Sequence, residues 1–179
     1  MSIITTERLY LSPFNESDAA DMYAYAKNPN VGPIAGWAPH KSVEDTLEII
    51  HAWFMQPYAW TIRLKGEDKM IGAIALEHDK YRPDAKSKEI GYSLSEDYWG
   101  QGIMTEACKA VMEYGFKELD LEIIGICTGE VNKRSQRVIE KCGFKYEGTI
   151  RKTYEIYDGS LRDSLVFSIL REEYDELNR

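Results

Sequence analysis

The sequence predicts a mixed α/β fold, a sheet with helices packed on its faces, and three observations point there. The first half reads as meander strands separated by turn residues. The second half alternates strand-like and helix-like segments. No repeat, low-complexity run or linker interrupts the chain, so residues 1–179 read as one domain, and a hydrophobic fraction of 44% can fill a single core.

Taken in order, Arg8 to Phe14 alternates apolar and polar residues like a half-buried strand. Asn15, Ser17 and Asp18 offer caps for a helix through Met22 to Ala26. Asn28 to Ser42 contains three prolines and two glycines and reads as a long loop. Ser42 with Asp45 resembles a capping box and starts a helix to about Met55, with Leu47, Ile50 and Phe54 as its apolar stripe. Tyr58–Lys65 and Lys69–Glu77 form a hairpin around Gly66-Glu67-Asp68. Lys88–Leu94 is a further strand, followed by a helix over about Thr105–Leu119 with Ala107, Val111 and Tyr114 on one face. Glu122–Gly129 is almost uninterruptedly apolar, as a strand buried on both faces would be. The next helix starts at Asn132 and ends at Gly143, where a left-handed residue is expected. Strands at Lys145–Ile156 and Leu161–Leu170 then flank Tyr157-Asp158-Gly159, a hairpin signal.

A net charge of −8 and a pI near 5.0 argue against a nucleic-acid partner, which needs a basic face, and are compatible with a cationic substrate. Cys108, Cys127 and Cys142 form no C-x-x-C pair and read as small core side chains. His40, His51 and His78 have no ligand spacing, so no metal site is expected. The start of the chain has no basic region followed by an apolar run, and no apolar stretch approaches the ~18 residues of a membrane span. A cytoplasmic protein without a membrane partner is the expectation.

YWGQGIMTEA, from Tyr98 to Ala107, places Gly100 and Gly102 between a strand and a helix. Without Cβ atoms there, the N–H groups of Gln101, Gly102, Ile103 and Met104 can turn toward one anion, with the helix dipole behind them. A plain tight turn is the competing reading. No Gly-Lys-Ser/Thr follows, which excludes a P-loop.

Asn132, Ser135, Lys141, Gly143 and Phe144 then follow the buried strand. Together with YWGQG they resemble the GNAT acetyltransferase superfamily. TERLYLSPF, YWGQGIMTEA, EGTIRK and DGSLRDSLVFSILREEY resemble its RimJ/RimL-type protein N-acetyltransferase branch, over about Thr6 to Tyr174. The resemblance implies a mostly antiparallel central sheet with helices on both faces, and acetyl transfer from acetyl-CoA to an amine, without a metal. It implies a CoA site on the loop Gly100 to Thr105, with Tyr92, Ser93 and Leu94 beside the pantetheine arm and Asn132, Ser135 and Lys141 on the later helix. The family loop often begins with Arg or Gln three residues before its first glycine. Asp97 stands there, so backbone amides are expected to make most phosphate contacts.

A backbone N–H near Ser93 or Leu94 is expected to face the oxyanion. Glu89 is the candidate base, at a strand position where some superfamily members carry a catalytic Glu; an ordered water is the alternative. Many members place a Tyr acid seven residues after the helix's Asn, but here that residue is Ile139. Ser135 is therefore the expected leaving-group acid, or else a helix serine bonded to the preceding turn. Asn132 assists catalysis or is only an N-cap. Ile34 and Trp37 line the acceptor mouth, or Trp37 plugs a core edge. The acceptor is expected to be the N-terminal α-amine of a protein or peptide, with a small-molecule amine as the alternative. A non-catalytic acyl-CoA-binding module is the reading from a different class. Monomer and homodimer both fit.

Overall fold

The structure, a computed structural model, describes residues 2–54 and 57–179, the side chains of Trp53 and Phe54 excepted. Among the described residues, eight strands form one sheet in the order β1–β2–β3–β4–β5–β6–β8–β7. They are β1 (Ile4–Thr5), β2 (Leu9–Ser12), β3 (Ala59–Leu64), β4 (Gly72–Glu77), β5 (Ser87–Leu94), β6 (Ile123–Thr128), β7 (Lys145–Glu155) and β8 (Leu161–Leu170). The β5–β6 pair is parallel and the other neighbours are antiparallel, in line with the mostly antiparallel expectation. The described residues also form six α-helices: α1 (Ala19–Ala26), α2 (Gly32–Ala35), α3 (Val43–Phe54), α4 (Ile103–Lys117), α5 (Lys133–Lys141) and α6 (Arg171–Leu177). None is long and apolar enough to cross a membrane.

Strand alternation divides the core between the two sheet faces. On β4, Ile74 and Leu76 join the side chains of α4, such as Ala107, Val111 and Phe116, while Ala73 and Ala75 join Met22, Tyr25 and Ile50 of α1 and α3. Each fully buried Ile or Leu contributes about 1.5–3 kcal/mol. The second cluster is built on alanines, which lets α1 and α3 approach the sheet closely.

Four boundaries differ from the sequence reading. Strand β1 is too short to carry a period. The loop Asn28 to Ser42 contains α2, because Pro33 fits the first turn of a helix and Gly36, at φ +108°, ends it. Helix α4 begins at Ile103 because Gly102 is its N-cap. Arg171–Leu177 turns helical because the Glu173 carboxylate accepts from the Leu170 N–H at 2.9 Å. The expected end of α3 at Met55 lies outside the described residues. The box at the start of α3 is shifted by one residue: Ser42 Oγ accepts from Asp45 N–H at 3.1 Å, while Asp45 accepts from Lys41 N–H at 3.0 Å.

One buried ion pair ties α1 to the sheet. The Arg63 guanidinium on β3 donates to Asp18, and also to Ser12 Oγ at 2.9 Å and Asp68 O at 2.8 Å. Asp18 accepts in turn from Asn15 N–H at 2.8 Å, capping the turn before α1. Arg63→Ala leaves that carboxylate buried and unpaired and is expected to cost about 3 kcal/mol in urea unfolding. Lys117→Ala removes only an exposed i,i+4 pair with Glu113 and should leave the midpoint unmoved.

Candidate active site

The parallel register of β5 and β6 runs from Ser87/Ile123 to Ile90/Ile126 and then stops, although β5 continues to Leu94 and β6 to Thr128. The two strands part and open a groove. Ser95 N–H donates to Ile71 O at 2.8 Å, and antiparallel alternation then turns the polar groups of Ser93 and Gly91 toward β4. Tyr92 and Leu94 turn theirs into the groove. Of the two N–H groups suggested by the sequence, Leu94's therefore faces the opening and Ser93's faces β4. Ser93 instead places its Oγ 3.1 Å from Tyr25 Oη. Trp99 closes the end of the groove, donating its indole N–H to Leu94 O at 2.9 Å beneath the Arg134 guanidinium, 4.3 Å from its ring.

At the mouth of the groove stands the glycine loop. Gly102 has φ +77°, a conformation that costs L side chains about 1 kcal/mol, and it leads directly into the 15 residues of α4. The N–H groups of the first turn of α4 lack helical partners and point out of the helix. The loop is braced from the far end of the chain. Arg8 Nη1 donates to Gln101 O at 2.9 Å, and Arg8 Nε and Thr6 Oγ1 donate to the Glu106 carboxylate at 2.6 and 2.5 Å. These bonds hold the Glu106 carboxyl below its usual range against the opposing effect of burial. TERL in the sequence thus has a structural partner in the first turn of α4.

A cavity of about 350 Å³ runs along this groove, lined by Leu94, Gly100, Gly102, Ile103, Met104 and Thr105 on one side and Arg134, Arg137, Val138 and Lys141 on the other. Sequence reasoning named Lys141 but missed Arg134 and Arg137. Their signal was the i, i+3, i+7 spacing with Lys141, one face of α5. Of the two residues expected at the acceptor mouth, Ile34 lines this cavity, and Trp37 lines both it and the cavity described next.

On the other side of the sheet opening lies a second cavity of about 610 Å³, lined among others by Glu77, Lys80, Glu89, His40, Tyr154 and Arg162. The two cavities share Ala35, Trp37, Tyr92, Ser93, Asn132 and Ser135. At this junction Asn132 caps α5, its Oδ1 accepting from Ser135 N–H at 3.2 Å. Ser135, 8% exposed, has its Oγ 2.8 Å from Tyr92 Oη. Burial raises the Tyr92 phenol far above its ordinary value, so it stays protonated. The hydroxyl pair spans 43 residues of sequence, which hid it. Ile139 is fully buried in the core.

Trp37 sits at the junction because the loop carrying it is tied down. Asn28 Nδ2 donates to Glu96 at 2.6 Å, and Arg162 donates to Ile34 O and Ala35 O at 3.0 and 2.8 Å. Glu89 lies on the floor of the larger cavity, where burial raises its carboxyl and the Lys80 ammonium opposes that shift. The described residues include no group of three or more His, Cys, Asp or Glu able to hold a metal.

The profile of the acetyltransferase (GNAT) domain matches residues 8–145. The chain belongs to the GNAT acetyltransferase family. This acetyltransferase is 30% identical over 179 residues to the uncharacterized N-acetyltransferase p20 of Bacillus licheniformis, covering 97% of this chain and 99% of that one. It is 28% identical over 141 residues to the ribosomal-protein-serine acetyltransferase of Escherichia coli K12, covering 77% and 70%. A crystal structure of a GNAT-family acetyltransferase from Bacillus anthracis superposes with a TM-score of 0.82 at 26% identity, covering 96% of this chain and 99% of that one.

Acetyl-CoA is expected to raise the melting temperature of the wild-type protein, by about 2.7 kcal/mol of stabilisation at a hundredfold excess over Kd. Gly102→Glu puts a carboxylate where an anion should sit and should abolish the shift while leaving a cooperative melt. A full shift in the variant would show that the loop does not hold the phosphates.

Proposed function

We propose that this acetyltransferase moves acetyl from acetyl-CoA to the N-terminal α-amine of a protein or peptide, and that residues 1–179 act as one catalytic domain in the cytoplasm. The observation that carries the reading is the junction at Ser135, where a groove fit for an acyl-CoA meets a separate polar cavity fit for an amine. The amides of Gly100–Thr105 and the cations Arg134, Arg137 and Lys141 suit the phosphates of CoA. The free edge of β5 suits a pantetheine arm lying as an added strand. The N–H groups of Tyr92 and Leu94 are the donors available to a developing oxyanion.

Ser135 protonates the departing thiolate in this reading, supported by its position at the junction of the two cavities. If Tyr92 donates to its Oγ, the serine proton is free for sulfur, and the pair acts as a two-hydroxyl relay. Asn132 holds the first turn of α5 in register and fixes where Ser135 stands. The carboxylates on the floor of the larger cavity, Glu89 among them, are available to take the amine's proton.

An α-amine, with a pKa of about 7.7–8.0, is already ~10% neutral at pH 7, whereas a lysine amine near 10.4 is under ~1% neutral. A site whose floor carries carboxylates suits the α-amine. The likeness to a ribosomal-protein-serine acetyltransferase supports the same choice.

Free-thiol release from acetyl-CoA tests the reading with hexapeptides beginning in Ser or Ala, a peptide with only a lysine amine, and spermidine. The α-amine peptides are expected to react fastest at pH 7. Acetyl-CoA binding without thiol release on any amine would leave only a binding module. In Ser135→Ala, turnover should fall by about 10- to 10²-fold with acetyl-CoA binding nearly intact, because a thiolate with a conjugate acid near 8.5 leaves tolerably well unaided. Wild-type turnover in that variant would assign the thiolate's proton to solvent.

A further inference from the structure

The larger cavity has two carboxylates on its floor, and they are not equivalent. Glu77 ends β4 and stands directly opposite Glu89 of β5 in the antiparallel register. Ala73, Ala75 and Glu77 point to the same sheet face as Glu89, Gly91 and Ser93, so both side chains enter the cavity from its floor. They then diverge. The Glu77 carboxylate leans along the sheet until Oε1, Cδ and Oε2 lie 3.4, 3.5 and 3.7 Å from where a Cβ on residue 91 would stand. It thus covers Gly91, two residues nearer the junction than its register partner and next in sequence to Tyr92. Gly91 has no side chain to fill that space. The Glu89 carboxylate turns across to β6, where the Cys127 thiol donates to it. Burial pushes that thiol up to about 12, so it remains a donor and not a competing anion.

We propose that Glu77 is the catalytic base of this enzyme, taking the proton of the acceptor ammonium over Gly91, while Glu89, held by Cys127 on the β6 side, is a second anion. The assignment rests on acetyl transfer to an amine in this cavity. The ammonium gives one proton to Glu77. The freed lone pair forms the C–N bond as the C–S bond breaks. The second nitrogen proton passes to the thiolate by way of Ser135, and Glu77 returns its own to water at the cavity mouth. Charge around the site favours this. Lys80, from the turn after β4, acts on both carboxylates and keeps the floor from repelling itself. His40, held at 2.9 Å from Thr46 Oγ1, is kept neutral by burial. Lys41 and Asp45 line the opposite wall, and Arg162 stacks on Tyr154 at 4.5 Å while donating to backbone carbonyls. Burial lifts the Glu77 carboxyl above its ordinary value, which brings its basicity closer to that of an amine.

Rates with the Ser-initiated hexapeptide from pH 6 to 9.5 test the assignment in wild type, Glu77→Gln and Glu89→Gln. Glu77→Gln should lower turnover about tenfold at pH 7, where roughly a tenth of the amine is already neutral, and recover to within about twofold at pH 9.5. Glu89→Gln should lose less than about threefold, and both variants should keep the acetyl-CoA melting shift. In the CoA-bound protein with carbon-13 glutamate, the carboxyl signal missing from Glu77→Gln should titrate above the usual ~4.3. A wild-type pH profile in Glu77→Gln, a larger loss in Glu89→Gln, or a Glu77 signal at or below 4.3 would overturn the assignment alone. A wild-type protein that releases no thiol with any amine would overturn acetyl transfer itself, and the assignment with it.

Discussion

Parallel strands stay paired only while their backbones keep a common spacing, and β5 and β6 lose it after Ile90 and Ile126. Everything in the site follows from that separation. The strand edge from Gly91 to Leu94 is left with donors and an acceptor that no neighbouring strand uses. Helix α5 fills the gap from one side and brings Ser135 to Tyr92. The loop through Trp37 closes it from the other. An edge of this kind, if dried without a partner, would cost about 1–3 kcal/mol per group, so it is suited to a ligand that carries its own amides.

Charge is distributed against the chain's average. A protein of net charge −8 lines one side of its opening with Arg134, Arg137 and Lys141 and the floor of the other with Glu77 and Glu89. The first side is an unbalanced cationic field; in the second, Glu77, Glu89 and Asp45 are offset by Lys80, Lys41 and Arg162. The overall acidity alone carried little information; the local cationic field within the fold carries more.

The sheet, the glycine loop and the cap at Asn132 were legible in the sequence because each rests on a local rule: alternation, freedom from a Cβ, or a side-chain oxygen before a helix. The Tyr92–Ser135 pair and the carboxylate of Glu77 over Gly91 were not. Both depend on which strands become neighbours, and no window of a single strand records that. Ile34 shows the limit from the other direction. Its place in a proline-rich loop does not say which cavity it lines; α2 and the Arg162 bonds set that. Helix α6 was missed because its capping carboxylate, Glu173, follows a strand without any turn residue between them.

The brace from Arg8 to Gln101 and Glu106 joins residues more than ninety positions apart. Contacts of such separation form late, after the entropy of closing a long loop has been spent. The amides of the glycine loop can take their final orientation only when β2 has entered the sheet beside β3. A chain emerging from synthesis would therefore carry Thr6 and Arg8 long before their partners exist. Anion binding at the loop would then report that the N-terminal strand has met the middle of the chain.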